Sequence, residues 1–221
     1  ITVPIGGIAG GLIAGFDPIL VLVNNIPVII LAIIFVVGLI YFPKQMIKGA
    51  LLFGKLIIIV ITIGLATSAF QELTEIIIIP GMAPIMEAMK IIAMIAIVLL
   101  GTFPILTIVT KFLNKPLTAI GKKLGMDATS AAGIVITMAN SIPVYKMMKD
   151  MDPKGKVINT AWLVPATAAL GDHLGFTAAV RPDMITPVLF GKLIAGVFAI
   201  LIALYFTKDL KYEIDQSNEM E

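Results

Sequence analysis

The apolar positions of this chain fall into long runs separated by short polar breaks, a spacing that predicts membrane-spanning helices. A span needs about 20 mainly apolar residues. Runs near that length cover residues 19–42, 47–70, 90–110, 157–180 and 184–206, with a kink expected at Pro104 in the third. Residues 1–16 are apolar but shorter, and carry Gly6, Gly7, Gly10, Gly11 and Gly15. Gly7, Gly11 and Gly15 recur every fourth residue, which predicts one helix face that lets another backbone approach closely. Residues 76–89 contain Pro80, Pro84 and Glu87 and read as interfacial. Residues 111–127 read as a basic loop punctuated by Gly and Pro, and residues 146–156 as a second polar loop. Residues 207–221 form a polar, acidic tail that is expected to be disordered. The expected fold is therefore all-α: a polytopic transmembrane bundle in residues 1–206, followed by the tail at 207–221.

Sidedness refines this picture. Lys-rich loops tend to stay in the cytoplasm. Lys44 and Lys48 then lie inside, Glu72 and Glu75 outside, and the basic stretch from Lys111 to Lys123 inside again. Simple alternation puts residues 146–156 outside, yet they hold Lys146, Lys149, Lys154 and Lys156. The conflict disappears if residues 128–145 are re-entrant, entering the membrane and returning to the same side. Their weak hydrophobicity fits that path, which is tolerated where backbone is buried in protein or lines a cavity. The alternative is a true span with the charge rule broken once.

Composition then narrows the chemistry. The chain is 59% hydrophobic and 14% charged, against about 45–50% and about 25% in soluble domains. That excess does not fit inside a soluble core of 221 residues. There is no Cys, which excludes disulfides and thiolate sites, and the single His173 excludes two-His zinc motifs. The net charge of +2 gives no reason to expect a nucleic-acid partner. No metal or other cofactor is expected. The chain begins Ile1-Thr2-Val3-Pro4, without Met or a basic signal-peptide start, and reads as the C-terminal part of a longer protein whose N-terminal part is missing.

Two short motifs recur in the same order. Asn24-Asn25-Ile26-Pro27 is echoed by Asn140-Ser141-Ile142-Pro143, and Leu52-Phe53-Gly54-Lys55-Leu56 by Leu189-Phe190-Gly191-Lys192-Leu193. The second interval is longer by about one membrane crossing, ~20 residues. Internal repeats with broken helices near mid-membrane are typical of secondary transporters. Pro27 and Pro143 each remove a backbone donor, so each marks a candidate kink. Asn24, Asn25, Asn140 and Ser141 offer amides and a hydroxyl at the same depth. They either line a polar, partly unwound substrate site or simply satisfy the kinks, at roughly 1 kcal/mol each.

The sharpest signal is Ala169-Leu170-Gly171-Asp172-His173-Leu174-Gly175-Phe176. An ionised Asp at the centre of a membrane helix costs at least ~2.5 kcal/mol, so Asp172 is a functional candidate. Gly171 and Gly175 thin the helix beside it, and Phe176 lies one turn on, over the same face. A carboxylate with an aromatic neighbour suits an organic ammonium. The competing reading places Asp172 near a helix end, paired with Arg181 or a Lys. Lys55 and Lys192 read as snorkelling from the start of their spans, Trp162 as an interfacial anchor and the methionines as packing.

At these residues the chain resembles a known family. Thr2-Val3-Pro4-Ile5-Gly6-Gly7-Ile8-Ala9-Gly10-Gly11-Leu12-Ile13-Ala14, Asn25-Ile26-Pro27-Val28, Met151-Asp152-Pro153-Lys154-Gly155-Lys156-Val157-Ile158-Asn159 and residues 169–176 are similar to the ethanolamine transporter (ethanolamine permease) of bacterial ethanolamine-utilisation systems. The resemblance covers nearly the whole chain and corresponds to the C-terminal part of that family. It implies a multi-pass protein of the bacterial plasma membrane that admits ethanolamine for a cytoplasmic cobalamin-dependent lyase, without itself binding cobalamin. It supplies no binding residues. The site expected from the residues alone is Asp172 for the ammonium, Asn24, Asn25, Asn140 or Ser141 for the hydroxyl, His173 as a bonding or proton-relaying group, and Phe176 beside them. A transporter of another small amine or amino acid is an alternative. Gly171-Asp172 is similar to part of an intramembrane aspartyl protease motif, but position 169 is Ala and no second intramembrane Asp stands by. A regulatory membrane subunit is the third class.

Overall fold

The computed structural model describes residues 2–208, and every regular element among them is helical. In chain order the α-helices are α1 (Thr2–Ile13), α2 (Pro18–Tyr41), α3 (Pro43–Thr74), α4 (Ile85–Leu124), α5 (Ala128–Ala139), α6 (Ser141–Met147), α7 (Pro153–Ala166), α8 (Asp172–Val180) and α9 (Ile185–Phe206), with short 3-10 turns at Met148–Asp150 and Pro182–Met184. The all-α expectation holds. Helices α2, α3 and the segment Pro182–Phe206 are each long and apolar enough to cross a membrane. The acidic tail expected at 207–221 lies outside the described residues from position 209 onward.

Helix α4 corrects the reading of residues 111–127 as a loop. It runs on to Leu124 and carries both Pro104 and Pro116 inside it. Lysines disfavour lipid but are good helix formers, so a basic stretch ends the apolar run without ending the helix. The non-helical link falls earlier, across residues 75–84. There Glu75 and Gly81 take left-handed conformations, and Gln71 Oε1 accepts the Ile79 amide at 2.9 Å.

The glycines of α1 do let a backbone approach, one residue away from the expected face. A Cβ on Gly6 would sit 2.5 Å from the Gly191 carbonyl oxygen, and one on Gly10 would sit 2.9 Å from that of Pro187. Gly7 and Gly11 turn instead to the side chains of Asn25 and Val21 on α2, and Gly15 lies past the helix at φ +78°. Successive helical residues point about 100° apart, so a helix between two neighbours presents adjacent glycines to different partners. The repeated Leu-Phe-Gly-Lys-Leu motif therefore has two environments. A Cβ on Gly54 of α3 would meet nothing within 4 Å, whereas one on Gly191 would lie 2.6 Å from the Gly6 oxygen. Gly191→Ala is expected to lower stability by about 1–3 kcal/mol as α1 is pushed from α9. Gly54→Ala should leave the thermal midpoint in detergent unchanged, and equal melting of the two variants would contradict this packing.

The path of α5 and α6 is a hairpin. A continuous helix over residues 128–151 would separate its ends by about 36 Å. Instead the Asp127 amide donates to Asp152 Oδ2 and the Asp152 amide donates to Asp127 Oδ2, both at 2.9 Å. The chain returns to the end of the fold it left, which is the path of a re-entrant segment. Helix α7 then starts beside α5 and runs the same way. Its packing on α9 gives the direction: Ile158 meets Ala203, Trp162 meets Gly196, and further on His173 meets Lys192. Helices α7 and α8 are thus two halves of one broken passage, antiparallel to α9. Trp162 departs from the interfacial role expected of it. It is buried at 5% exposure, its ring lies over Gly196, and its indole N–H donates to the Ile134 carbonyl at 2.8 Å.

Candidate functional site

Each broken helix stops for a local reason. At Asn140 the backbone turns extended, at φ −161°. The Asn140 amide still closes α5 on Ile136, while its Oδ1 accepts the Ile142 amide at 2.8 Å and caps α6. Pro143 then occupies the first turn of α6, where a missing amide donor is harmless. The related segment on α2 does not break. Helix α2 continues through Pro27, and the Asn25 side-chain amide donates back to the Val21 carbonyl at 2.8 Å. The kink expected at Pro143 is a true interruption, whereas Pro27 sits in unbroken helix.

The second break spans residues 167–171, where Ala168 adopts φ +50°. Here the two interruptions meet. The Ala168 amide donates to the Thr137 carbonyl at 2.9 Å, and the Leu170 amide donates to Met138 at 2.8 Å. The last carbonyls of α5 lack partners within their own helix, and unwinding frees amides in the α7–α8 link. Each set satisfies the other, as backbone inside a bilayer requires. Gly171 lies directly against the Ala139 carbonyl oxygen, a position with no room for a Cβ.

Asp172 opens α8 immediately after this contact, with no side chain capping the helix ahead of it. Its carboxylate sits at the positive end of the helix dipole, worth roughly 0.3–1 kcal/mol. Asp172, His173 and Phe176 are all exposed on the protein, Phe176 at 51%. Gly175, three residues on from Asp172, is buried and rests against Ile95 of α4. Arg181 is not paired with Asp172. It forms a bidentate bridge to Asp183, at 3.0 and 2.7 Å, in the turn before α9.

Lys192 takes a place that the sequence reading missed. Rather than extending to an interface, its Nζ lies 2.9 Å from His173 Nδ1. An ammonium donating to Nδ1 leaves the imidazole proton on Nε2. Lys192 also lines a cavity of about 470 Å³ between α1, α7 and α9, together with Gly10, Phe16, Pro165, Pro187 and Gly191. His173 and Lys192 thus meet beside Asp172 at the start of α8, and Asn140 and Ser141 are the next two residues after Ala139, which touches Gly171. Asn24 and Asn25 lie apart, on α2, which packs on α1 and α3.

Long apolar helices together with interrupted helices that meet at their breaks define a helical membrane protein, and such interruptions also occur in secondary transporters. The family model described as "Ethanolamine utilisation protein, EutH" matches residues 1–206, and the chain belongs to that family. It is 52% identical over 205 residues to the "Probable ethanolamine permease EutH" of Listeria monocytogenes serotype 1/2a (strain 10403S), a match covering 93% of this chain and 55% of the relative. It is 44% identical over 227 residues to the protein of the same name from Escherichia coli (strain K12), covering 92% of this chain and 56% of that one. The chain therefore spans about half the length of these curated relatives. No solved structure matches it.

Proposed function

We propose that this chain carries the substrate site of a permease that passes ethanolamine across the bacterial plasma membrane. The observation behind this reading is the meeting of the two helix breaks, with Asp172 next in the chain to the unwound link and opening α8. The names of the relatives supply the substrate. Ethanolamine is a primary ammonium two carbons from a hydroxyl. The Asp172 carboxylate accepts the ammonium, with the face of Phe176 one turn along the helix. Asn140 and Ser141 offer a second polar end to bond the hydroxyl, and His173 adds a donor at Nε2. Asn24 and Asn25 stand outside this grouping and are not assigned to it.

The test is uptake of labelled ethanolamine by purified full chain in liposomes. Asp172→Asn is expected to reduce uptake at least tenfold, roughly the loss on removing one partner of a desolvated charge pair. Unchanged uptake would overturn the assignment.

A further inference from the structure

We infer that Lys192 is a tethered stand-in for the substrate ammonium, holding the site when no amine is bound; this rests on the reading of Asp172 as the ammonium site. The argument begins with chemical identity. A lysine side chain ends in a primary alkylammonium, the group by which ethanolamine itself would be held. Lys192 presents that group 2.9 Å from His173 Nδ1, on the residue next to Asp172. Among the described residues Lys192 makes no ion pair with Asp172, but an ammonium arriving at that carboxylate meets a like charge held on the neighbouring His173, so binding displaces one ammonium by another.

The surroundings give Lys192 somewhere to go. It also lines the cavity of about 470 Å³ bounded by the glycine face of α1. The α9 backbone beside it is fixed, because Gly191 lies against the Gly6 carbonyl oxygen. The movement therefore belongs to the flexible four-carbon stem, which carries the ammonium from His173 into the cavity while the helix stays in place. When substrate leaves, the stem returns. This matters because a carboxylate left unpaired within a bilayer is strongly disfavoured. Lys192, held on His173, balances the Asp172 charge without bonding the carboxylate, so the empty site carries no net charge and the protein returns to face the other side.

The idea separates two modes of transport in proteoliposomes made with the full chain. Exchange of labelled external for unlabelled internal ethanolamine never requires the empty site to reorient, whereas net uptake into empty vesicles does. Lys192→Met is expected to keep exchange, with a half-saturation concentration about tenfold lower because the internal competitor is gone. Net uptake should slow by about tenfold or more. Lys192→Arg, which keeps the charge, should recover much of the net rate. Lys192→Gln serves as a second neutral variant, and each protein is first shown to elute as a single folded species. If exchange and net uptake fall together in both neutral variants, or neither changes, the tether is excluded. Asp172→Asn separates this failure from failure of the site itself. Loss of both modes there keeps the ammonium site, while normal transport removes it and the tether with it.

Discussion

Gly171→Ala is expected to be among the most damaging single-methyl additions in this chain, lowering stability by at least about 3 kcal/mol and removing uptake. The added Cβ would run into the Ala139 carbonyl oxygen, with that carbonyl carbon 3.1 Å away and the Ala168 Cβ at 3.5 Å. Two of these three atoms are backbone and the third, an alanine Cβ, is bound to it rigidly, so no side-chain rotation relieves the clash. Relief requires the α5–α6 hairpin to move off the α7–α8 link. That movement stretches the bonds from Ala168 to Thr137 and from Leu170 to Met138. Backbone groups freed inside a bilayer have no water to replace their partners, which is why the effect exceeds ordinary overpacking. Gly49 of α3, where a Cβ would meet nothing within 4 Å, provides the control. Thermal melting in detergent should separate Gly171→Ala from Gly49→Ala by about 6–12 °C or more; coincident melts would show that the crossing tolerates separation. Gly171→Val extends the series and is expected to yield no folded protein.

What the sequence made legible follows the range of the physics involved. The spans of α2, α3 and α9 were readable because burial in lipid writes itself into every residue of a run. The interruption at Asn140 was readable because caps are local: an Asn that accepts an amide two residues on, followed by a Pro in the first turn, suffices. The same pattern at Asn24–Pro27 misled, since Asn25 turns its amide inward to Val21 and the helix continues. Hydropathy likewise reports surroundings rather than chain path, so the lysines after residue 110 read as a loop although α4 continues through them. Trp162 and Lys192 were misplaced for a related cause. Either residue suits an interface, and only the glycine opposite Trp162 and the imidazole opposite Lys192 draw them inward. The crossing of the two breaks joins residues about 30 positions apart, and no local signal names such a partner.

The same limit hid the feature on which the hairpin depends, and Asp152→Ala is the variant that exposes it. Asp152 is buried, at 6% exposure, with both carboxylate oxygens engaged. Oδ1 accepts the Gly155 amide at 2.8 Å and caps α7. Oδ2 accepts the Asp127 amide and the Ser130 hydroxyl, each at 2.9 Å. Asp127 reciprocates, capping α5 through Ser130 at 2.6 Å and accepting the Asp152 amide. Each aspartate thus caps its own helix and binds the start of the other. Removing the Asp152 carboxylate leaves three donors without partners, at about 1–3 kcal/mol for each that stays buried. Relaxation and water return part of this, so the expected loss is about 3–5 kcal/mol. Asp127→Ala removes two bonds at a half-exposed residue and should cost less, about 2 kcal/mol. Because the two act on one junction, the double variant should cost less than the sum of the singles. Uptake should fall along with stability, because the clamp sets the depth at which the hairpin tip meets Ala168 and Leu170. Thermal melts of the four proteins give the coupling directly. Additive losses, or an Asp152→Ala melt equal to the parent's, would mean that the hairpin is held by packing alone.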